Sequence, residues 1–363
     1  QLKRTLISEC ENLLGGEQEV ILPLSGGLDS RLILSLLLEL IPAKNIHAFN
    51  YGTEGQLDFD IPPVIANKTG INFTQVNYKN ISISPDDIID QQYSIDTAPT
   101  HNLVGFHVTK EASIQALKNL AVDPSMAIWS GFLGDRVFSG MWSDFDLTLE
   151  SACENFASSY AINKRSIFPS DYDTASRLLN LYKNKARLDQ ITWAEQIELE
   201  QRQSRVRATL QVLDNDYKFL FEQPSILSSL FNAPASLRKN SKLQIDFCLK
   251  YYSELFKLPV TSNFGYPLRK YKFQDKLDRY QRLTYSKIDS KFNTNLEPFK
   301  RIKMTSQRLK GLINGYENVL EEGYRRAQIK LREFDIPISN DELEKMKINR
   351  SKSEMIASLG YFK

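Results

Sequence analysis

Histidine and cysteine are scarce in this chain: three His and three Cys in 363 residues, with Cys10, Cys153 and Cys248 far apart and no CxxC pair. That excludes the usual zinc and iron–sulfur ligand spacings and a disulfide framework, and it fits a reducing compartment. Charge of one sign is also lacking. Forty-six basic residues against 44 acidic leave a net charge of +2, so the overall balance calls for no nucleic acid or other polyelectrolyte partner. A long apolar run is missing too. The longest, near Leu32 to Ile41, is about half of the ~20 residues a bilayer crossing needs, and no signal-peptide pattern precedes it. A cytoplasmic protein that neither crosses nor binds a membrane is expected. There is no internal repeat or low-complexity stretch. A hydrophobic share of 42% with 25% charged residues is enough for one large core or two moderate ones.

What the sequence does have is a turn that organises the rest. The apolar run Val20 to Leu24 drops into Ser25-Gly26-Gly27-Leu28-Asp29-Ser30 and is followed by the helix-like run Leu32 to Leu40. This reads as strand, tight loop, helix. Such a loop points backbone N–H groups and a helix N-terminus at whatever lies beyond the strand, which suits phosphate. Gly26 and Gly27 allow close backbone approach, Ser25 and Ser30 add hydroxyl donors, and the Asp29 carboxylate would repel phosphate unless Mg²⁺ stood between them. An ordinary capped β–α turn is the plain alternative. Five specified residues coincide by chance on the order of once in 10³ sequences of this length, which favours the phosphate reading. The loop is neither a Walker A motif nor GxGxxG.

Downstream, Asn45 to Tyr51 and Ile71 to Tyr78 read as strands. Between them a helix is expected over Leu57 to Thr69, with Pro62-Pro63 in its first turn or at a kink. The resulting β-α-β-α-β order predicts an α/β fold: a doubly wound parallel sheet binding ligand at the carboxyl ends of its strands. A helix from Val104 to Leu120 leads to a fourth strand, Ala127 to Gly131, and to a second glycine-rich loop, Ser130-Gly131-Phe132-Leu133-Gly134-Asp135-Arg136. Two such loops from neighbouring strands would bring Asp29 and Asp135 to one Mg²⁺. His101 and His107, near Asp96 and Asn102, are six residues apart and do not share a helical turn, so a solvated or capping role is expected rather than a metal site.

The loop Ser25 to Ser30 resembles the pyrophosphate-binding loop of the ATP pyrophosphatases, and with Leu24 before it, the asparagine synthetase branch. The resemblance implies a Rossmann-like sheet of the adenine nucleotide alpha-hydrolase type. It implies ATP cleavage between the α and β phosphates, giving an acyl-adenylate and pyrophosphate, and then an amide. Carried over residue by residue, Leu24, Ser25, Gly26, Gly27, Asp29 and Ser30 belong to the nucleotide site, Asn50 and Tyr51 to adenine, Ser130 and Gly131 to adenosine, and Asp29 with Asp135 to magnesium. The chain also departs from the pattern. Phe132 and Arg136 stand where asparagine synthetases carry glutamates, which counts against aspartate as the substrate. Asn263, in Thr261-Ser262-Asn263-Phe264-Gly265-Tyr266, stands where the family has a lysine that stabilises developing charge. Arg207, Lys242 and Arg269 are the candidate replacements.

By the same resemblance the partners are a small-molecule or peptide carboxylate and an amine or ammonia donor. The helix-like segment Leu2 to Leu14 follows a glutaminase domain in asparagine synthetases, which makes an upstream glutaminase domain or subunit a candidate ammonia source. A degenerate, non-catalytic nucleotide-binding or assembly module is the rival reading. The resemblance covers residues 1–270 as a synthetase domain. Residues 271–363 read as a helical C-terminal extension, in which Leu309, Leu312, Ile313, Tyr316, Val319, Leu320, Tyr324 and Ala327 trace one stripe suited to core packing.

Overall fold

The computed structural model describes residues 1–91, 103–139, 148–160, 173–238, 241–263, 265–268, 312–333, 357, 358, 360 and 361. Five parallel strands form the central sheet: β1 (Val20–Pro23), β2 (Ile46–Gly52), β3 (Asn72–Asn77), β4 (Ile128–Ser130) and β5 (Tyr217–Phe219), in the order β3-β2-β1-β4-β5. The chain moves outward from β1 to β3, and the helix Leu103–Leu120 then precedes β4, which pairs with the other side of β1. Strand order therefore reverses between β1 and β4. This is the doubly wound parallel α/β sheet the sequence predicts, and the reversal opens a crevice beyond the carboxyl ends of those two strands.

β1 is short and apolar because both of its faces are covered. Val20 and Leu22, with Leu24 beyond the strand, enter one core with the helices Leu2–Leu14, Asp29–Leu37, Pro224–Phe231 and Lys242–Tyr251. Ile21 points the other way, joining Phe49, Val76 and Ile128 against the helices Leu103–Leu120 and Tyr316–Glu333. The prolines act as expected, splitting the segment into helices Leu57–Asp60 and Pro62–Thr69 with proline in the first turn of the second.

The helix Tyr316–Glu333 completes the second core face, burying Tyr316, Val319, Leu320, Tyr324 and Ala327. Its entry is tied to the chain after β3: Ile83 N–H donates to Asn314 O at 3.0 Å and Asn314 N–H to Ile81 O at 3.2 Å. Gly315 lies between them at φ +79°, where an added Cβ would fall 1.9 Å from Ile83 O. Its far side is tied as well, since Tyr361 Oη donates to Val319 O at 2.6 Å. Leu309 of the expected stripe lies outside the described residues.

Three features differ from the sequence reading. β5 has no strand signal in sequence, because three residues with Lys218 at their centre carry little periodic pattern. The helical stretch between β4 and β5 changes type along its length, which no sequence pattern announces: α over Trp193–Ile197, π over Glu198–Gln203 and α again over Ser204–Leu210. His107 is neither solvated nor a cap: it is 1% exposed in the second core, and burial pushes its pKa down to about 4. Asp96, His101 and Asn102 lie outside the described residues. Among the described residues no helix is long and apolar enough to cross a membrane.

Candidate functional site

The site is built on the loop after β1. Leu24 N–H continues the ladder to Phe49 O at 2.8 Å, and the Asn50 carboxamide donates to Leu24 O at 2.9 Å. The loop then folds on its own hydroxyls. Ser25 N–H donates to Ser30 Oγ at 3.1 Å, the two hydroxyls lie 3.1 Å apart, and Gly27 N–H donates to Ser25 Oγ at 3.2 Å. Ser25, Gly27 and Ser30, expected on phosphate, thus form one cluster at the start of the helix Asp29–Leu37, where peptide dipoles favour an anion.

The second loop, after β4, lies directly against the first. A Cβ on Gly131 would fall 3.1 Å from Asp29 Cβ and from Ser30 N, and one on Gly134 would fall 2.5 Å from Asp29 Cγ. Glycine is therefore required at Gly134 for the Asp29 carboxyl to occupy its place. Leu133 takes φ +68° between them, a conformation costly for a non-glycine residue and common where a site imposes it. The Ser130 hydroxyl accepts from Phe132 N–H at 3.3 Å.

Asp29 lies close enough to Asp135 to feel its charge and to accept from its backbone N–H. Removal from water and then the negative charge of Asp135 push the Asp29 carboxyl up to about 7, against the opposing pull of the Gln244 side chain, the Asp135 backbone N–H and the charge of Arg136. Asp135 is exposed on one side and paired with Arg136 Nε at 3.3 Å, while Arg136 Nη1 lies 3.7 Å from the buried Glu198. Two carboxylates that disfavour each other's charge form an all-oxygen set suited to Mg²⁺, which takes few protein ligands and shares phosphate oxygens. Among the described residues no cluster of three or more His, Cys, Asp or Glu is placed to hold a metal alone.

A hairpin of β6 (Pro259–Val260) and β7 (Tyr266–Pro267) closes the other side of the first loop. Thr261 N–H donates to Gly26 O at 2.9 Å, and Thr261 Oγ1 donates to Asp58 Oδ1 at 2.9 Å. Asn263, where the family has lysine, lies in this hairpin, and its amide is spent on Pro267 O at 2.7 Å.

The remaining candidates are more dispersed. Tyr51 turns to the second core and stacks on Tyr78 with centroids 6.0 Å apart; burial raises the pKa of its hydroxyl. Arg207 donates from Nε to Glu222 at 2.9 Å and lies 4.5 Å over the Phe219 ring. Phe219 in turn meets Phe132 edge-on at 5.8 Å, so Phe132 is part of an apolar wall with a guanidinium behind it. Lys242 is exposed at the start of its helix and has no partner among the described residues. Arg269 lies outside the described residues.

Two residues central to the site were not singled out from sequence. Gln244, 2% exposed, reaches Asp29. Arg31, fully buried, binds backbone carbonyls on both the loop and the hairpin. Gln244 has a visible signal in retrospect, a polar residue in line with Phe247 and Cys248 on the buried face of its helix; Arg31, beside Ser30 and one turn from Ser35, has none. Comparison with curated proteins gives no match. The asparagine synthase family model, however, matches residues 2–306, which include every described loop of this site, and the chain belongs to that family.

Proposed function

We propose that this chain is an ATP-dependent ligase that adenylates a carboxylate, releasing pyrophosphate, and passes the acyl group to an amine to form an amide. The family is one of ATP-using, amide-forming ligases in general; the adenylating chemistry is our reading. The observation that carries it is the contact of the two loops, Asp29 seated against Gly131 and Gly134 with Asp135 beside it. In this reading Ser25, Gly26, Gly27 and Ser30 hold the β and γ phosphates, Leu24, Asn50, Ser130 and Gly131 form the nucleoside side, and Asp29 with Asp135 would hold Mg²⁺, while Tyr51 stays in the second core. Bound there, Mg²⁺ would neutralise charge on the polyphosphate. Held by these loops, the nucleotide would present its α phosphate to the carboxylate.

Lys242, exposed and unpaired among the described residues, is the most available cation for the place Asn263 leaves empty; Arg207 is the second, and Arg269 the third. The apolar wall of Phe132 and Phe219 supports a carboxylate other than aspartate, a small molecule or a peptide. The amine is ammonia, supplied by a glutaminase domain or subunit, or an amine of the substrate itself, and the setting is the cytoplasm. Exchange of labelled pyrophosphate into ATP, screened over carboxylates, tests the reading: carboxylate-dependent exchange with AMP as product supports it, and ADP as product overturns it. The commitment of Asn263 to Pro267 O favours the rival, a non-catalytic nucleotide-binding module. An ATP complex with no Lys or Arg near the α phosphate would make that the better account.

A further inference from the structure

We propose that Arg31 is a positioning residue that locks the Gly26–Gly27 peptide in the orientation an anion requires; this deepens, and rests on, the nucleotide reading above. Its side chain is fully buried and donates to four carbonyls: Nη1 to Leu255 O at 3.1 Å and Leu258 O at 3.4 Å, Nη2 to Pro259 O at 2.6 Å and Gly26 O at 3.3 Å. Thr261 N–H also donates to Gly26 O, at 2.9 Å. The Gly26 carbonyl is therefore held toward the hairpin by two donors from different segments.

A trans peptide is planar, with C=O and N–H antiparallel. Fixing the Gly26 carbonyl on the hairpin side fixes Gly27 N–H on the opposite side, where it meets Ser25 Oγ at 3.2 Å beside Ser30 Oγ. A flipped peptide would turn a carbonyl dipole toward the phosphates instead. Neither flanking residue has a Cβ to resist that flip, because glycine accepts both orientations. The same absence is needed for packing, since a Cβ at Gly26 would fall 2.3 Å from Thr261 Oγ1. The glycines that allow close approach thus leave the peptide unrestrained by sterics, and the restraint comes from Thr261 N–H together with Arg31, which also binds the carbonyls that set the hairpin in place. A planar fork of five donors reaches four carbonyls on two segments at once; a lysine ammonium is a compact charge with three donors and spans fewer of them.

The test compares wild type, Arg31→Met and Arg31→Lys, each first shown to be folded by its thermal transition. Amide hydrogen exchange at Gly27 and Thr261 should quicken at least about ten-fold in Arg31→Met, with the β2–β3 amides unchanged and Arg31→Lys intermediate. Affinity for a non-hydrolysable ATP analogue with Mg²⁺ should fall at least about ten-fold while affinity for adenosine is unchanged, because the lock acts on the phosphate side. Wild-type exchange at both amides in a folded variant overturns the lock, as does an equal loss for analogue and adenosine. Should Arg31→Met fail to fold, Arg31→Lys alone decides by the same two readouts. If the wild type binds no analogue, the nucleotide reading fails, and the amide exchange still reports on the lock separately.

Discussion

Gln244 Nε2 donates to Asp29 Oδ1 at 2.6 Å, joining the helix Lys242–Tyr251 to the first residue of the helix Asp29–Leu37 across 215 positions of sequence. The bond favours the charged form of the carboxyl in a place where burial and Asp135 both oppose it more strongly.

Replacing Gln244 with leucine should therefore raise the Asp29 pKa further and weaken Mg²⁺-dependent nucleotide binding. A hydrogen bond to a charged group contributes about 1.5–3 kcal/mol, so a loss of roughly ten-fold or more in affinity is expected at pH 7. Binding should recover in part at pH 8.5, where Asp29 ionises. Calorimetric titration of Gln244→Leu at the two pH values measures both.

The raised pKa of Asp29 also gives a pH signature of stability. A carboxyl near 3.8 when unfolded and near 7 when folded binds its proton more tightly in the native state. That contribution is fully present below about pH 4 and is lost as pH rises toward 7. In Asp29→Asn it is absent. The melting temperature of the variant should gain on that of the wild type between pH 4 and pH 7.5 without Mg²⁺, and thermal scans across that range measure the difference. A constant gap would place Asp29 in water.

His107 predicts a change of opposite sign on the acid side. Burial holds its folded pKa near 4, below the usual ~6.5 of a free imidazole, so the stability it brings is present above pH 6.5 and is lost as pH falls toward 4. Replacing His107 with glutamine should flatten the acid limb of the stability curve over that window, as measured by denaturant unfolding at stepped pH.

Gly315→Ala tests whether the helix Tyr316–Glu333 is integral to the fold. The new Cβ would meet backbone at Ile83 O, in a left-handed conformation, so a loss of about 1–3 kcal/mol is expected. It should be read by chemical denaturation as a shift of one cooperative transition. Separate melting of the C-terminal helix, with the remainder unchanged, would show that the helix is not part of the core.

How much of this was legible in sequence follows from where each signal lies. The first loop is local, six consecutive residues whose composition is itself the signal, and the structure places Ser25, Gly27 and Ser30 together as read. The parallel, doubly wound sheet followed from short β-α-β spacing and the crossover rules. The meeting of Asp29 with Asp135 needed only the reversal of strand order between β1 and β4. Arg31 and Gln244 were harder, because their meaning lies in partners more than 200 residues away: nothing near Arg31 in sequence announces the carbonyls of Leu255 and Pro259. Tyr51 shows the limit of reading a strand end. Alternation assigns it a face, but which face holds adenine depends on the helices stacked there, and its ring lies against Tyr78.

The most direct measurement is calorimetric titration of wild type and Asp29→Ala with a non-hydrolysable ATP analogue, each with and without Mg²⁺. The account predicts binding that requires Mg²⁺ in the wild type and is at least about ten-fold weaker in Asp29→Ala, since the ion loses one of its two protein carboxylates. Binding that ignores Mg²⁺, or that is unchanged in Asp29→Ala, would contradict it.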